Sequence, residues 1–339
     1  MRIGLIAPPW VPVPPLGYGG TEEVVDLLAR GLQAAGHDVL LAAASDSTCP
    51  VPLVPGAEPS DAEDMNGATS LMAHVVTAYA ALGDVDVIHD HTPVGPLYRG
   101  RPSGVPVAVT HHNAFTPAAL TLFRAMAADT AIVAISDNHA RHATGVPIAR
   151  VIHHGLDLSG VDVGTGRGGY AAFLGRMDPT KGVAEAVRIA RAAGVPLLIA
   201  AKMRHPVERA YFESEVRPLL TSEQQYIGEV TESDKFELLA DAIALLNPIQ
   251  WSEPFGLAMI EALAVGTPVV GTPRGAAPEI VRHGVTGFLG TVDELVALLP
   301  RAADLDRAAC RADAELRFSA SRMVDDHVRL YADLLGRPA

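Results

Sequence analysis

A chain of 339 residues with two cysteines and a formal net charge of −13 is longer than one ordinary domain and too acidic for a general nucleic-acid binder, which needs a basic face against phosphate. Cys49 and Cys310 stand far apart with no Cys-x-x-Cys or Cys/His spacing, so neither a zinc site nor a disulfide framework is expected. The opening run MRIGLIAPPW is too short and too soon broken by prolines for a signal-peptide core or a membrane span, so we expect a cytoplasmic protein that begins on a β-strand.

In chain order, RIGLIAP reads as that strand, a Pro/Gly-rich loop follows, and TEEVVDLLARGLQAAG has apolar residues at helical spacing and stops on Gly36. HDVLLAAAS, VDVIHDH, VPVAVTHH, TAIVAIS and ARVIHHG are further buried strands, separated by helical stretches such as SLMAHVVTAYAALG. After the glycine-rich break from Val163 to Gly169 the same rhythm restarts with YAAFLGRM and runs to GFLG. Continuous apolar strands alternating with helices imply parallel sheets covered on both faces. The expected organisation is α/β, with two doubly wound parallel-sheet (Rossmann-like) domains over residues 1–165 and 166–316 facing across a cleft. A linker falls near Gly164–Gly169, and a closing helix within 317–339 packs back across the junction.

Open parallel sheets bind ligands beyond the carboxyl ends of their strands, which directs attention to three strand-to-helix loops. In the first, Gly17, Gly19 and Gly20 let backbone approach a ligand, and a helix beginning near Thr21 points free N–H groups at an anion; the bland alternative is a soft turn capped by Thr21. Neither GxGxxG nor GxxxxGK[ST] is present, which argues against a nicotinamide-dependent oxidoreductase. In the second, Arg176 and Lys181 follow a buried strand, where a pyrophosphate fits between a guanidinium fork and an ammonium; a random pair of loop cations would simply be solvated. In the third, Pro254 suits a first helical turn, so Glu253 stands at the helix threshold beside the N–H groups of Phe255, Gly256 and Leu257. Glu261 would then lie about 12 Å further along the axis, too far to share a proton with Glu253. The pair instead suits an extended ligand with hydroxyls at both ends and an anion between, the shape of a nucleotide diphosphate sugar. If Glu253 merely capped the helix and Glu261 were solvated, the apolar neighbours Ile260 and Ala262 to Val265 would be out of place. His89, Asp90 and His91 alternate along a strand end and have no further ligands at metal spacing, so His91, His111 and His112 are expected to line the cleft without a metal.

At these residues the chain resembles a known family. EPFGLAMIE resembles the Glu-x7-Glu motif of retaining GT-B-fold glycosyltransferases, glycosyltransferase family 4 (glycosyl transferases group 1), and SEPFGLAMIEALAVGTPVVGTPRGAAPEIVRHGVTGFL is similar to that family's C-terminal signature. YGGTEEVVDLLARGLQAAGHDV resembles its glycine loop and first helix, LGRMDPTKG its phosphate-binding loop and VIHHGLDL its interdomain strand, so the likeness covers most of the chain. His154 stands where the family more often has Asn, and Gly275-Ala276 where it has Gly-Gly. The resemblance implies that Arg176 and Lys181 bind the donor diphosphate, Glu261 the ribose and Glu253 the donor sugar. It also implies that the backbone of Phe255, Gly256, Leu257, Gly19 and Gly20 helps hold phosphates and sugar, and that His111 lies near the transferred sugar. It further implies front-face retention; no cofactor and no metal are expected, because Arg176 and Lys181 already supply the charge that a metal would give to a diphosphate leaving group. The partners are then a nucleotide diphosphate sugar and an acceptor hydroxyl, on a small molecule such as a natural product or a saccharide, with no nucleic acid and no stable membrane insertion. A sugar-nucleotide epimerase of the same architecture and a non-catalytic two-domain sugar-binding protein are the alternatives, the second of which would want an export signal.

Overall fold

A computed structural model describes residues 1–17, 19–65 and 67–337. The chain divides into two compact units, Met1–Asp157 with Ala320–Ala339, and Leu158–Ser319.

The first unit contains β1 (Arg2–Ile6), α1 (Gly20–Ala34), β2 (Asp38–Ala42), α2 (Ala68–Ala81), β3 (Val87–Asp90), β4 (Val107–Thr110), α3 (Pro117–Met126), β5 (Ala131–Ala134), α4 (Asp137–His142) and β6 (Ile148–Val151). Its strands form one parallel sheet in the order β2-β1-β3-β4-β5-β6. All four residues of β3 and of β4 are buried, as apolar strands covered by helices on both faces must be.

The second unit contains β7 (Ala171–Arg176), α5 (Val183–Ala192), β8 (Leu197–Lys202), α6 (Pro206–Tyr211), β9 (Gln224–Gly228), α7 (Glu232–Asp241), β10 (Ala244–Asn247), α8 (Leu257–Ala264), β11 (Val269–Gly271), α9 (Ala277–Ile280), β12 (Gly287–Leu289), α10 (Val292–Arg301) and α11 (Arg307–Phe318). The sheet order is β12-β11-β10-β7-β8-β9, all parallel. Phe173, Val187, Leu197, Leu246 and Leu295 belong to the core on one face of this sheet. Strand order reverses between β7 and β10, and such a switch point is where an open parallel sheet takes its ligands. The corresponding reversal in the first unit lies between β1 and β3.

The last helix, α12 (Ala320–Leu334), belongs to the first unit, where it packs on α1 and buries Met323, Val324, His327, Leu330 and Tyr331. The glycine-rich run expected as a linker is instead part of the second unit. Gly164 N donates to Val265 O at 2.9 Å, Gly166 N to Ala240 O at 3.0 Å and Gly168 N to Asp241 O at 2.9 Å. The division therefore falls before this run, after Asp157, and again after Ser319, just beyond the end of α11. Among the described residues no helix is long and apolar enough to cross a membrane.

Candidate functional site

The loops after β7 and β10 meet at the switch point of the second unit. Asp178 accepts from Thr180 N at 2.8 Å and tightens the turn that presents Lys181. Gly182 follows with φ 76°, and a Cβ there would lie 2.0 Å from Pro248 O, so only glycine lets the two loops close on each other. Gln250 N donates to Thr180 O at 2.8 Å and completes that junction. Across it, Lys181 Nζ lies 2.6 Å from Glu253 Oε2, with both side chains 15% exposed. Trp251 Nε1 donates to the same carboxylate oxygen at 2.7 Å. The backbone of Glu253 is clasped by the loop after β11: Ala276 N donates to Glu253 O at 3.0 Å, and a Cβ on Gly275 (φ 59°) would sit 2.3 Å from both Glu253 N and O. Arg176, at the end of β7, has its Nε buried without a hydrogen-bond partner among the described residues. An unpaired guanidinium nitrogen at the end of the strand whose following loop carries the paired lysine is suited to an incoming anion.

The helix after this loop starts later than its proline suggests. Leu257 is the first residue of α8 and Gly256 its N-cap, so Pro254 lies outside the first turn and Glu253 is held in the preceding loop. The axial spacing expected between Glu253 and Glu261 therefore does not apply. Leu257 and Gly256 stand at the helix threshold, whereas Phe255 is buried edge-on against Phe318, with ring centroids 6.1 Å apart. Glu261 is buried rather than solvated, and its Oε1 accepts from Lys235 Nζ at 2.8 Å.

On the first unit, Gly19 is the N-cap of α1 and Gly20 its first residue, so Thr21 does not cap the helix. Glu22, in that first turn, is buried, and burial pushes its carboxyl up to about 7. The expected group of His91, His111 and His112 divides in two. His111 packs among Phe115, Phe123 and His139, its Nε2 3.3 Å from Ala114 O, and burial pushes it down to about 4. His112 Nε2 instead meets His91 Nδ1 at 2.9 Å and its ring stacks on His154 at 5.2 Å. His89 adjoins His91 and His327, with its nitrogens 2.6 Å from Tyr331 Oη and 2.8 Å from Thr110 Oγ1. The sequence reading passed over His139 and His327 and met His154 only as a departure from the family's Asn; the i, i+4 pair His327 and Tyr331 on an apolar helix face was the available signal for the last. Among the described residues no three His, Cys, Asp or Glu side chains are grouped to hold a metal ion.

Burial holds these imidazoles neutral: His89, His91 and His154 lie well below their ordinary value, with His112 and His139 near 3 and His327 near 4. A histidine depressed in the folded state leaves stability untouched above its unfolded pKa of roughly 6.5 and removes it as pH falls below that, because only the unfolded chain takes the proton. Each such residue steepens the loss by about 1.4 kcal/mol per pH unit. The melting temperature of the first unit is therefore expected to be level above about pH 7 and to drop sharply from 6.5 to 5. A melt that stays constant over that interval would contradict the burial of these rings.

The sequence profile of Glycosyltransferase Family 4 matches residues 18–159, and that of Glycosyl transferases group 1 matches residues 166–304. The phosphatidyl-myo-inositol mannosyltransferase of Mycobacterium leprae (strain TN) is 27% identical, over 98% of this chain and 96% of its own length. The crystal structure of AviGT4, a glycosyltransferase involved in avilamycin A biosynthesis, superposes with a TM-score of 0.75 at 28% identity and covers 99% of this chain and 98% of that one. Sucrose-phosphate synthase from Thermosynechococcus elongatus has a TM-score of 0.80 at 18% identity, over 99% of both chains, and so shares the fold. With two Rossmann-like units each matched by its own profile, the chain belongs to glycosyltransferase family 4, the glycosyltransferases of the GT-B fold.

Proposed function

We propose that this glycosyltransferase moves a sugar from a nucleoside diphosphate sugar to an acceptor hydroxyl with retention of anomeric configuration. The observation that carries the reading is the clustering, at the switch point of the second unit, of Lys181, Glu253 and Trp251 beside an unpartnered Arg176 Nε. Arg176 and Lys181 take the diphosphate, Glu253 the hydroxyls of the sugar and Glu261 those of the ribose, while the amide groups of Gly256 and Leu257 face the charge that develops on the leaving group. Phe255 serves by packing the loop. On the first unit, Gly19, Gly20 and His111 keep the roles that the family resemblance gives them. The bond from the anomeric carbon to the phosphate oxygen breaks, the acceptor oxygen bonds to that carbon on the same face, and the departing phosphate takes the acceptor's proton.

No metal is assigned, because two side-chain cations and a helix N-terminus already supply positive charge at the phosphates. Activity is expected to survive dialysis against a chelator; loss restored by magnesium or manganese would refute this. The acceptor is a small molecule or a saccharide, a reading favoured by the likeness to AviGT4, a glycosyltransferase involved in avilamycin A biosynthesis.

The two glutamates provide the main test. Glu261→Ala removes contacts made equally before and during reaction, so donor KM should rise with kcat little changed. Glu253→Ala loosens the reacting sugar, so kcat should fall more than donor affinity. Hydrogen bonds to a charged acceptor are worth roughly 1.5–3 kcal/mol, so effects of one to two orders of magnitude are expected. A bare nucleoside diphosphate should weaken as an inhibitor of the Glu261 variant alone; equal weakening in both would refute the division of the donor between them.

A further inference from the structure

Glu261 is an awkward residue to bury. Its side chain is 7% exposed, and an ionised carboxylate that deep costs several kcal/mol unless a counter-charge accompanies it. The counter-charge comes from a different helix: Lys235, in the second turn of α7, has its side chain 13% exposed and its Nζ 2.8 Å from Glu261 Oε1. One contact braces α7 itself and one ties its end to α8. Thr231 caps α7 by accepting from Asp234 N at 3.2 Å, and Thr267, just after α8, donates to Leu239 O at 2.6 Å. The lysine therefore meets the carboxylate from a braced helix rather than from a mobile surface. Only one oxygen is engaged: Glu261 Oε2 has no hydrogen-bond partner among the described residues. A carboxylate held through Oε1 keeps Oε2 available to accept, the arrangement that two adjacent hydroxyls on a five-membered ring can use.

We propose that Lys235 is a positioning residue for the nucleotide ribose, holding Glu261 by Oε1 so that Oε2 is presented to the ribose hydroxyls. This rests on the assignment of Glu261 to the ribose. Lys235 does not touch the reacting atoms; its effect on the donor passes through the glutamate. Its charge also offsets that of Glu261, which lets an anionic ligand approach a carboxylate without net repulsion.

The test uses the full chain and its Lys235→Met, Lys235→Arg, Glu261→Gln and Lys235→Met/Glu261→Gln variants, with UDP and GDP and their 2′,3′-dideoxy counterparts as inhibitors. The unaltered enzyme should prefer the ribose nucleotide by about tenfold or more, as loss of a hydrogen bond to a charged group requires. Lys235→Met should raise donor KM about tenfold with kcat within about threefold and should erase the ribose preference, and Lys235→Arg should restore most of it. In the Glu261→Gln background Lys235→Met should do little more, because two residues that act through one contact are not additive. This neutral double variant also removes the buried lone charge, so it remains informative should Lys235→Met fold poorly. A ribose preference that persists in Lys235→Met, or an equal effect of that change with and without Glu261, would overturn the inference. If the unaltered enzyme shows no ribose preference, the assignment of Glu261 itself is wrong and the role of Lys235 falls with it.

Discussion

Replacing Lys181 by alanine is expected to lower kcat/KM by about a thousandfold, the largest loss from any single change at this site. Two effects add. The ammonium is the cation nearest Glu253, and removing one preorganised donor from charge that develops in the transition state costs about 2.7–4 kcal/mol in comparable sites. Its loss also leaves the Glu253 carboxylate with Trp251 Nε1 as its remaining hydrogen-bond donor, so a half-buried negative charge would face the diphosphate without a counter-ion. Arginine should not rescue activity, since the Lys181–Glu253 contact of 2.6 Å, braced by a turn, leaves no room for a longer planar head. Steady-state kinetics with donor varied, beside a melt to show that the fold is kept, decides the matter; a loss of less than tenfold would place the diphosphate elsewhere.

Arg307→Ala should be the most damaging change to stability in the second unit. This guanidinium makes five hydrogen bonds: to Gly164 O at 2.8 Å, Ala242 O at 3.1 Å, Ala240 O at 2.9 Å, Val265 O at 3.2 Å and Thr267 Oγ1 at 2.6 Å. It gathers the ends of α7 and α8 and the glycine-rich run into one knot. Truncation strands several acceptors at once, and a loss of about 3–5 kcal/mol is expected. For a unit of this size that is a fall in melting temperature of roughly 10 °C. Lysine should recover little, because a single ammonium cannot span acceptors on both sides of a planar fork. Calorimetry of the two proteins would show it, and a shift of only one or two degrees would mean that water replaces the arginine without cost.

The alternation of buried strands and helices was legible in the sequence because it is written locally, in the period of apolar residues. That Arg176 ends a strand and that Lys181 and Glu253 lie in strand-to-helix loops was legible, because parallel sheets expose their loops there. Strand order was not, so nothing local says that the loops after β7 and β10 are neighbours, or that Lys181 and Glu253 touch. Lys235 looked like any helix-surface lysine, since its value lies in a partner 26 residues away. Arg307 escaped for the same reason: four of its five acceptors are backbone carbonyls, which carry no sequence signal at all. The misplaced start of α8 shows local rules competing, with Pro254 suited to a first turn but Gly256 taking the cap. The histidines divided between two environments because adjacent residues at a strand end point to opposite faces, a fact that their shared name conceals.

The placement of α12 has a consequence for how the protein is made. A ribosome delivers Met1–Asp157 before Leu158–Ser319, but the helix that covers α1 and supplies Tyr331 to His89 only after both. Until then the earlier segment has its sheet strands but an uncovered apolar face along α1, while the later segment already holds every strand and helix that it needs. Nascent chains should therefore mature in the reverse of their order of synthesis, and the wait leaves the first-made half as the natural client of a chaperone.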